Sequence, residues 1–79
     1  MARVLLFGRL ADVAGWRERT VEADRLSAVR AALAAEDAAL GEALGGRGVQ
    51  AAVDQAIVRG DAPLGATTEV AFLPPMSGG

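Results

Sequence analysis

The chain contains no cysteine, no histidine and no lysine among its 79 residues. Without cysteine no disulfide can cross-link the fold. Without cysteine or histidine the ordinary ligands of a zinc site are missing, so we expect no metal site. Without lysine there is no side-chain amine for a Schiff base or for an isopeptide bond to this chain. The missing residues are also among those most often used as catalytic nucleophiles and general bases.

Aromatic residues and net charge are also scarce. Aromatic residues make up 4% of the chain, and the net charge at neutral pH is −2. This slight acidic excess argues against a nucleic-acid-binding protein, which needs a basic surface. No apolar run is long enough to span a bilayer, and residues 1–8 are too short for a signal peptide, so we expect a cytoplasmic protein without membrane contact. A chain of this length forms one small domain that folds by apolar packing.

Two continuous apolar runs predict the central strands of a sheet. They are Val-Leu-Leu-Phe at residues 4–7 and Val-Ala-Phe-Leu at residues 70–73. An uninterrupted apolar run is typical of a strand that is buried on both faces, so we expect these strands side by side in the middle of the sheet. Residues 16–22 carry charges that discourage pairing between sheet edges, which favours an edge strand. Shorter strands are predicted at residues 49–53 and 57–58.

One main helix is predicted after the first two strands. Ser27 is a favourable N-cap residue, and Leu26 before it suits the hydrophobic staple that often accompanies a cap. The apolar face of this helix is expected at Val29, Ala32 and Leu33. Two shorter helical segments are expected, one at residues 9–15 that ends at Gly15 and one that follows Asp37 as its N-cap.

The order of two strands, a main helix and three strands predicts an α+β fold. The helix buries its apolar face against one face of the sheet, and a right-handed crossover brings the later strands alongside the first one. The predicted architecture is a β-grasp, or ubiquitin-like, roll with a mixed sheet of about five strands and one main helix packed across it. Phe72 is expected in the core, and Trp16 is expected to cover the edge of the core.

The most distinctive stretch is Glu-Val-Ala-Phe-Leu-Pro-Pro-Met-Ser-Gly-Gly at residues 69–79. Proline has no N–H to donate to a sheet, so Pro74 and Pro75 end the last strand and stiffen the base of the tail. The two final glycines add no side-chain bulk beside the terminal carboxylate. We therefore expect a β-grasp domain over residues 1–74 and a flexible tail over residues 75–79.

A glycine-rich segment, Gly-Gly-Arg-Gly at residues 45–48, is predicted to be a loop. Its glycines are like those of a phosphate-binding loop, but the Lys-Ser/Thr pair and the strand-to-helix setting of such a loop are missing. We therefore do not expect nucleotide binding there.

Together these features resemble the small, sulfur carrier subunits of molybdopterin synthase (the MoaD-like proteins) and, more broadly, the ubiquitin-like sulfur carriers. The ending Pro-Pro-Met-Ser-Gly-Gly is similar to the Pro-Pro-Val-Ser/Thr-Gly-Gly of that family, and residues 4–7 and 52–55 also match its pattern. The chain departs from the pattern at Asp54, where asparagine is usual, and at residues 65–68, where an Asp-Gly-Asp turn is common.

The resemblance implies a carrier and not a catalyst. An adenylating enzyme of the ubiquitin-activating type would consume ATP and attach AMP transiently to the carboxylate of Gly79, next to Gly78. A sulfur donor protein would then replace AMP and leave a thiocarboxylate. The large subunit of molybdopterin synthase would take in the tail, and the sulfur would pass to the pterin precursor. Two carriers would supply two sulfurs in a heterotetramer, and no cofactor would stay bound to the carrier.

The resemblance also implies which residues meet the partner. They are the apolar residues Phe7, Ile57 and Leu73 and the tail residues Pro74, Pro75, Met76 and Ser77. Leu73 points opposite to Phe72 on its strand and is expected in an apolar patch with Phe7 and Ile57. The alternative is ordinary burial of Leu73 against the helix.

Two other functions stay open at the level of sequence. Related carriers use the same chemistry in thiazole, cysteine or tRNA thiolation pathways, although the thiazole carriers are usually shorter and lack the double proline. The chain is alternatively a ubiquitin-like modifier whose tail is conjugated to other proteins. In that case the absence of lysine excludes lysine-linked chains of the protein with itself.

Overall fold

Residues 1–75 are described by the computed structural model of the chain, and they form eight elements in order. The elements are β1 (Ala2–Leu6), α1 (Arg9–Ala14), β2 (Glu18–Val21), α2 (Leu26–Glu36), α3 (Ala38–Leu44), β3 (Gln50–Val53), β4 (Ala56–Val58) and β5 (Thr68–Leu73). This order confirms the predicted succession of two strands, a main helix and three strands, with short helices at the two predicted places. Within residues 1–75 no helix is long and apolar enough to cross a membrane.

The five strands in this part of the chain form one mixed sheet in the order β2-β1-β5-β3-β4. β1 runs parallel to β5, and the other neighbouring pairs are antiparallel. The two apolar strands β1 and β5 are therefore neighbours, as predicted, and the charged strand β2 lies at an edge. With α2 packed on one face of the sheet, the architecture is the predicted β-grasp fold. Because β1 and β5 are parallel, their carboxyl termini lie at the same end of the sheet.

The core lies between one face of the sheet and the helices. Its larger part consists of inward-facing residues of β1, β5, α2 and α3: Ala2, Val4, Leu6, Leu26, Val29, Leu33, Leu40, Leu44, Val70 and Phe72. Phe72 is fully buried, which confirms its predicted place, and the partly buried Trp16 packs against the core. Each large apolar side chain that is fully buried stabilises the fold by about 1.5–3 kcal/mol. This face of the sheet therefore supplies most of the stability.

Two predictions about buried faces were wrong. β1 is not buried on both faces, because Leu5 is only partly buried and Phe7, just beyond the strand, is exposed. The helices cover one side of the sheet, so alternate residues of β1 remain open on the other side. Ala32 of α2 is exposed, since it points away from the direction of the buried Val29 and Leu33.

The prediction that Ser27 caps the main helix was also wrong. α2 begins at Leu26, so Arg25 is its N-cap residue and Ser27 lies inside the first turn. The carboxylate of Asp61, from the loop after β4, accepts hydrogen bonds from the backbone N–H and the hydroxyl of Ser27. A distant residue therefore satisfies the N–H that a local cap would have satisfied.

Two other predicted helix signals are confirmed. Gly15 ends α1 in the left-handed conformation, at φ 82°, and donates its N–H to the Ala11 carbonyl. The Asp37 side chain caps α3 by accepting a hydrogen bond from the Leu40 N–H at 3.1 Å. In both cases the two partners lie within about one turn of helix, so the signal is contained in the local sequence.

Candidate functional site

Three segments of the chain meet at one end of the sheet, where central strands begin or end. β1 and β5 are parallel and end there, at Leu6 and Leu73, and β3 begins there because it runs antiparallel to β5. The Phe7 N–H donates to the Phe72 carbonyl at 3.3 Å, and Gln50 of β3 pairs with Leu73. The two prolines that come after β5 therefore leave the sheet between the end of β1 and the start of β3.

The two prolines lie against two glycines. Pro74 is half-buried and Pro75 is exposed. A methyl group added at Gly8 would lie 3.1 Å from Cγ of Pro74, and one added at Gly48 would lie 2.8 Å from Cβ of Pro75. Cβ atoms essentially never approach another heavy atom within 3.0 Å, so a side chain at position 48 requires Pro75 or the Gly48 backbone to move.

Gly48 belongs to the turn that connects α3 to β3. The Val49 N–H donates to the Gly46 carbonyl at 3.3 Å, which closes a four-residue turn. Gly48 occupies the third position at φ 83°, and a type II turn requires a positive φ at that position. The turn leads from a helix into a strand, which is the reverse of the setting of a phosphate-binding loop.

The sheet face that the helices leave open carries a row of apolar side chains. The strand register aligns Leu5, Ala71, Ala52 and Ile57 across β1, β5, β3 and β4. Paired residues project from the same face of a sheet, so these four residues share the open face. Phe7 and Leu73 come two positions after Leu5 and Ala71 and project to the same side. We call these six residues the apolar patch.

The apolar patch is exposed at two opposite corners. Phe7 is 46% exposed and Ile57 is 50% exposed. Leu73 is half-buried and lies on the opposite face from the fully buried Phe72, so it does not pack beneath the helix. The structure thus brings Phe7, Ile57 and Leu73 to one surface, and Phe7 and Leu73 lie at the end of the sheet from which the prolines leave. Ala52 and Ala71, which lie between these corners, are buried, so the exposed part of the patch is formed by Phe7 and Ile57 with the partly buried Leu5 and Leu73. The role of these residues in partner binding stays a prediction.

Charged side chains occupy the same face farther from the prolines. Nη2 of Arg3 lies 2.8 Å from Oε1 of Glu69, and Nε of Arg3 lies 3.6 Å from Oε2 of Glu18. Exposed ion pairs of this kind contribute only about 0–1 kcal/mol to stability. Arg3 and Glu69 precede Leu5 and Ala71 by two positions, so they border the apolar patch directly. The open face is therefore apolar near the prolines and charged at the far side.

The predicted reactive end falls outside the described residues. Met76, Ser77, Gly78 and Gly79 lie beyond residues 1–75, and the division into a domain and a tail at residues 74–75 stays a prediction. Among residues 1–75, no group of three or more His, Cys, Asp or Glu side chains is placed to hold a metal ion. The described residues place part of the apolar patch at the end of the sheet from which the two prolines leave.

Sequence reasoning did not identify several residues of this site. Leu5, Ala52 and Ala71 complete the apolar patch. The alternation of a strand carried a signal for Leu5 and Ala71, since each lies two positions before a predicted patch residue. No local pattern relates Gly48 to Pro75, because their contact arises only when β3 and β5 pair.

Comparisons with known proteins agree with this architecture. The model of the ThiS family matches residues 4–79. The molybdopterin synthase sulfur carrier subunit of Escherichia coli (strain K12) is 37% identical over 81 aligned positions, which cover 100% of both chains. The crystal structure of SAMP1 from Haloferax volcanii matches with a TM-score of 0.78 at 26% identity, covering 99% of this chain and 98% of that one. The solution structure of the small archaeal modifier protein 1 from Methanosarcina acetivorans matches with a TM-score of 0.87 at 22% identity, covering 99% and 95%, and shows the shared fold.

Proposed function

This chain belongs to the ThiS family of ubiquitin-like sulfur carriers, and we propose that it acts as the sulfur carrier subunit of a molybdopterin synthase. In this proposal Gly79 carries the transferred sulfur as a C-terminal thiocarboxylate, and Gly78 leaves the approach to its carbonyl carbon open. The full-length similarity to a molybdopterin synthase sulfur carrier subunit supports this pathway over others.

The proposed cycle begins with the Gly79 carboxylate, which is a poor electrophile. An adenylating enzyme uses ATP to form the acyl-adenylate and releases pyrophosphate, which gives the carbonyl carbon a good leaving group. A sulfur donor protein supplies sulfur at the oxidation level of sulfide, so a carbon–sulfur bond forms while the bond to AMP breaks. The thiocarboxylate sulfur then attacks a carbon of the pterin precursor and displaces an oxygen leaving group, and water hydrolyses the resulting thioester, which leaves the sulfur on the pterin and restores the carboxylate. Since the chain has no cysteine and no histidine, its partners supply the acid–base groups.

One arrangement carries the proposal among the described residues. The apolar patch lies on the open face, and its residues Phe7 and Leu73 reach the end of the sheet at which the two prolines leave, because β1 and β5 are parallel. A partner that covers the apolar patch would therefore meet the tail where it leaves the domain. The prolines restrict the backbone there, which lowers the entropy lost when the tail enters an active site.

The proposal assigns partner contacts to both parts of this surface. Phe7, Ile57 and Leu73 would bind apolar surface of the synthase large subunit or of the adenylating enzyme. Pro74, Pro75, Met76 and Ser77 would line the path by which the tail enters the partner. The two partners would bind in turn, since each needs the same carboxyl end. A heterotetramer of two carriers and two large subunits would deliver two sulfurs.

Mass spectrometry tests the proposed function directly. The chain is incubated with its cognate adenylating enzyme, ATP and a sulfur source, and the intact mass and the C-terminal peptide are measured. We expect an oxygen-to-sulfur exchange at Gly79, and none in a matched reaction without ATP. Adding the large subunit and the pterin precursor should return the carrier to its original mass. The absence of exchange with a competent adenylating enzyme would contradict the proposal.

A second candidate function is protein modification. The similarity to SAMP1 of Haloferax volcanii favours it, because SAMP1 stands for small archaeal modifier protein 1. In that case the activated Gly79 would be attacked by an amine of another protein, and an isopeptide bond would form as AMP leaves. Isopeptide-linked adducts in cell extract would support this function. Co-purification with a thiazole, cysteine or tRNA thiolation enzyme would instead support carrier chemistry in another pathway.

A further inference from the structure

The contact between Gly48 and Pro75 joins the turn before β3 to the residue at which the tail begins. A Cβ atom at Gly48 would lie 2.8 Å from Cβ, 3.6 Å from Cα and 3.7 Å from Cγ of Pro75. The opposing atoms belong to a proline ring and its backbone, which cannot rotate aside as a long side chain does. The lack of a side chain at position 48 therefore allows Pro75 to lie where it does.

Gly48 differs in this respect from another glycine with the same backbone angle. Gly15 has φ 82° and Gly48 has φ 83°, so the positive φ disfavours an L-residue at both positions. A Cβ atom at Gly15 would meet nothing within 4 Å. A substitution at Gly15 therefore tests the effect of the positive φ alone, whereas a substitution at Gly48 adds the steric contact with Pro75.

We propose that Gly48 is a positioning residue that sets the direction in which the tail leaves the domain, by letting Pro75 lie against the turn at residues 46–49. Gly8 leaves room for Pro74 in a similar way, since a Cβ atom at Gly8 would lie 3.1 Å from Cγ of Pro74. The positioning role deepens the proposed function and rests on it for its biochemical consequence.

The direction at Pro75 matters because the reactive carboxylate is at a distance from it. The four residues after Pro75 span roughly 13 Å when extended, so the direction in which the chain leaves Pro75 determines which region beside the domain Gly79 can reach. The apolar patch fixes the orientation of the domain on its partner, and the tail must then enter the active site at a given angle. A misplacement of about 1 Å at a reacting group can lower a rate about a hundredfold.

The kinetic experiment compares Gly48→Ala with Gly15→Ala in the charging reaction, by which we mean the ATP-dependent conversion of the Gly79 carboxylate to a thiocarboxylate by the cognate adenylating enzyme and a sulfur source. We expect Gly48→Ala to lower kcat at least about tenfold with little change in KM, because the apolar patch still docks while the carboxylate is misdirected. Gly15→Ala should keep wild-type kinetics. Asparagine tolerates a positive φ, so Gly48→Asn and Gly15→Asn repeat the comparison with less backbone strain. Equal kinetics for the variants at the two positions would overturn the proposal.

Rescue by a change at Pro75 separates positioning from a general loss of folding. Pro75→Gly removes the ring and the Cβ atom that a side chain at position 48 would meet, whereas Pro75→Ala keeps the Cβ atom. We expect the effect of Gly48→Ala on kcat to shrink in the Pro75→Gly background and to persist in the Pro75→Ala background. An effect of the same size in both backgrounds would show that Gly48 acts only through the turn.

A measurement on the isolated protein decides the case in which the wild-type chain is not charged at all. Failure of charging would reject the proposed function, while the contact itself is read by NMR. We expect nuclear Overhauser effects between the Hα atoms of Gly48 and the ring of Pro75 in the wild type and in Gly15→Ala. They should be lost in Gly48→Ala, together with shifts in the amide signals of residues 77–79. Absence of the contact in the wild type would overturn the positioning role.

Discussion

The carboxylate of Asp61 accepts two hydrogen bonds from Ser27, one from the backbone N–H at 2.8 Å and one from the hydroxyl at 2.9 Å. It also lies 3.2 Å from Nη1 of Arg25 and accepts from the N–H of Ala62 at 2.9 Å. These contacts attach the loop after β4 to the first turn of α2. The hydrogen bond from the Ser27 backbone, together with those from its hydroxyl and from Ala62 and with the Arg25 charge, holds the pKa of Asp61 below its ordinary value of 3.8 despite an opposing effect of burial.

Asp61→Ala should lower Tm at neutral pH, because the first turn of α2 loses its distant cap. A carboxyl whose pKa is depressed by folding adds stability above its unfolded pKa, here 3.8, and this stability is lost as the pH falls through the lower folded pKa. The difference in Tm between the wild type and Asp61→Ala should therefore be constant near neutrality and narrow below about pH 4. Asp61→Asn serves as the control, because it also lacks an ionisable group at this position, so its Tm should differ from that of Asp61→Ala by an amount that does not depend on pH. A difference in Tm between the wild type and Asp61→Ala that stays constant down to pH 2 would contradict the role of the ionised carboxylate.

Leu73→Glu should weaken binding to the large subunit at least about tenfold, which corresponds to about 1.4 kcal/mol, because a carboxylate would be desolvated in the apolar patch. Folding should change less than binding, since Leu73 lies outside the buried core. Gln50→Glu introduces the same charge at the paired position on the same face and should have a smaller effect. Calorimetric titration of both variants measures the affinities, and equal affinity for Leu73→Glu and the wild type would remove Leu73 from the interface.

Deletion of Gly79 should abolish sulfur transfer and leave Tm nearly unchanged, because a chain terminus contributes little packing. Mass spectrometry measures the charging of the shortened chain, and differential scanning calorimetry measures its Tm. A large fall in Tm would instead show that the last residue has a structural role. Addition of one alanine after Gly79 is a matched control, because it keeps both glycines and moves the carboxylate; charging should again be lost.

Gly41→Ala should destabilise the protein by about 1–3 kcal/mol, although alanine is favoured over glycine in a helix by about 1 kcal/mol. A Cβ atom at Gly41 would lie 2.5 Å from Cβ of Ala34, where α3 packs against α2. Ala34→Gly in the same chain should recover part of the loss. At Gly45 a Cβ atom would have no neighbour nearer than 3.7 Å, so Gly45→Ala should be close to neutral. Chemical denaturation gives the four free energies of unfolding, and a stabilised Gly41→Ala would refute the close contact.

Much of the architecture could be predicted from local sequence. The two apolar runs at residues 4–7 and 70–73 predicted the neighbouring strands β1 and β5, and Gly15 and Asp37 marked helix ends correctly. These signals are local because hydrophobic periodicity and capping act between residues a few positions apart. The absence of cysteine, histidine and lysine likewise restricts the chemistry of the chain without reference to its fold.

Contacts between distant segments could not be read in the same way. Serine is a favoured N-cap residue, so Ser27 was expected to cap α2. The fold instead places Asp61 at that helix end, where its carboxylate accepts the hydrogen bonds. Whether a strand residue is buried depends on which face the helices cover, so the strand at residues 4–7 was expected to be buried on both faces although Leu5 belongs to the open face. Strand pairing also brought Gly48 against Pro75. The sequence specified which segments are strands and which residues could react. The register of β1, β3 and β5 determined which residues surround the base of the tail, because register sets which distant residues become neighbours.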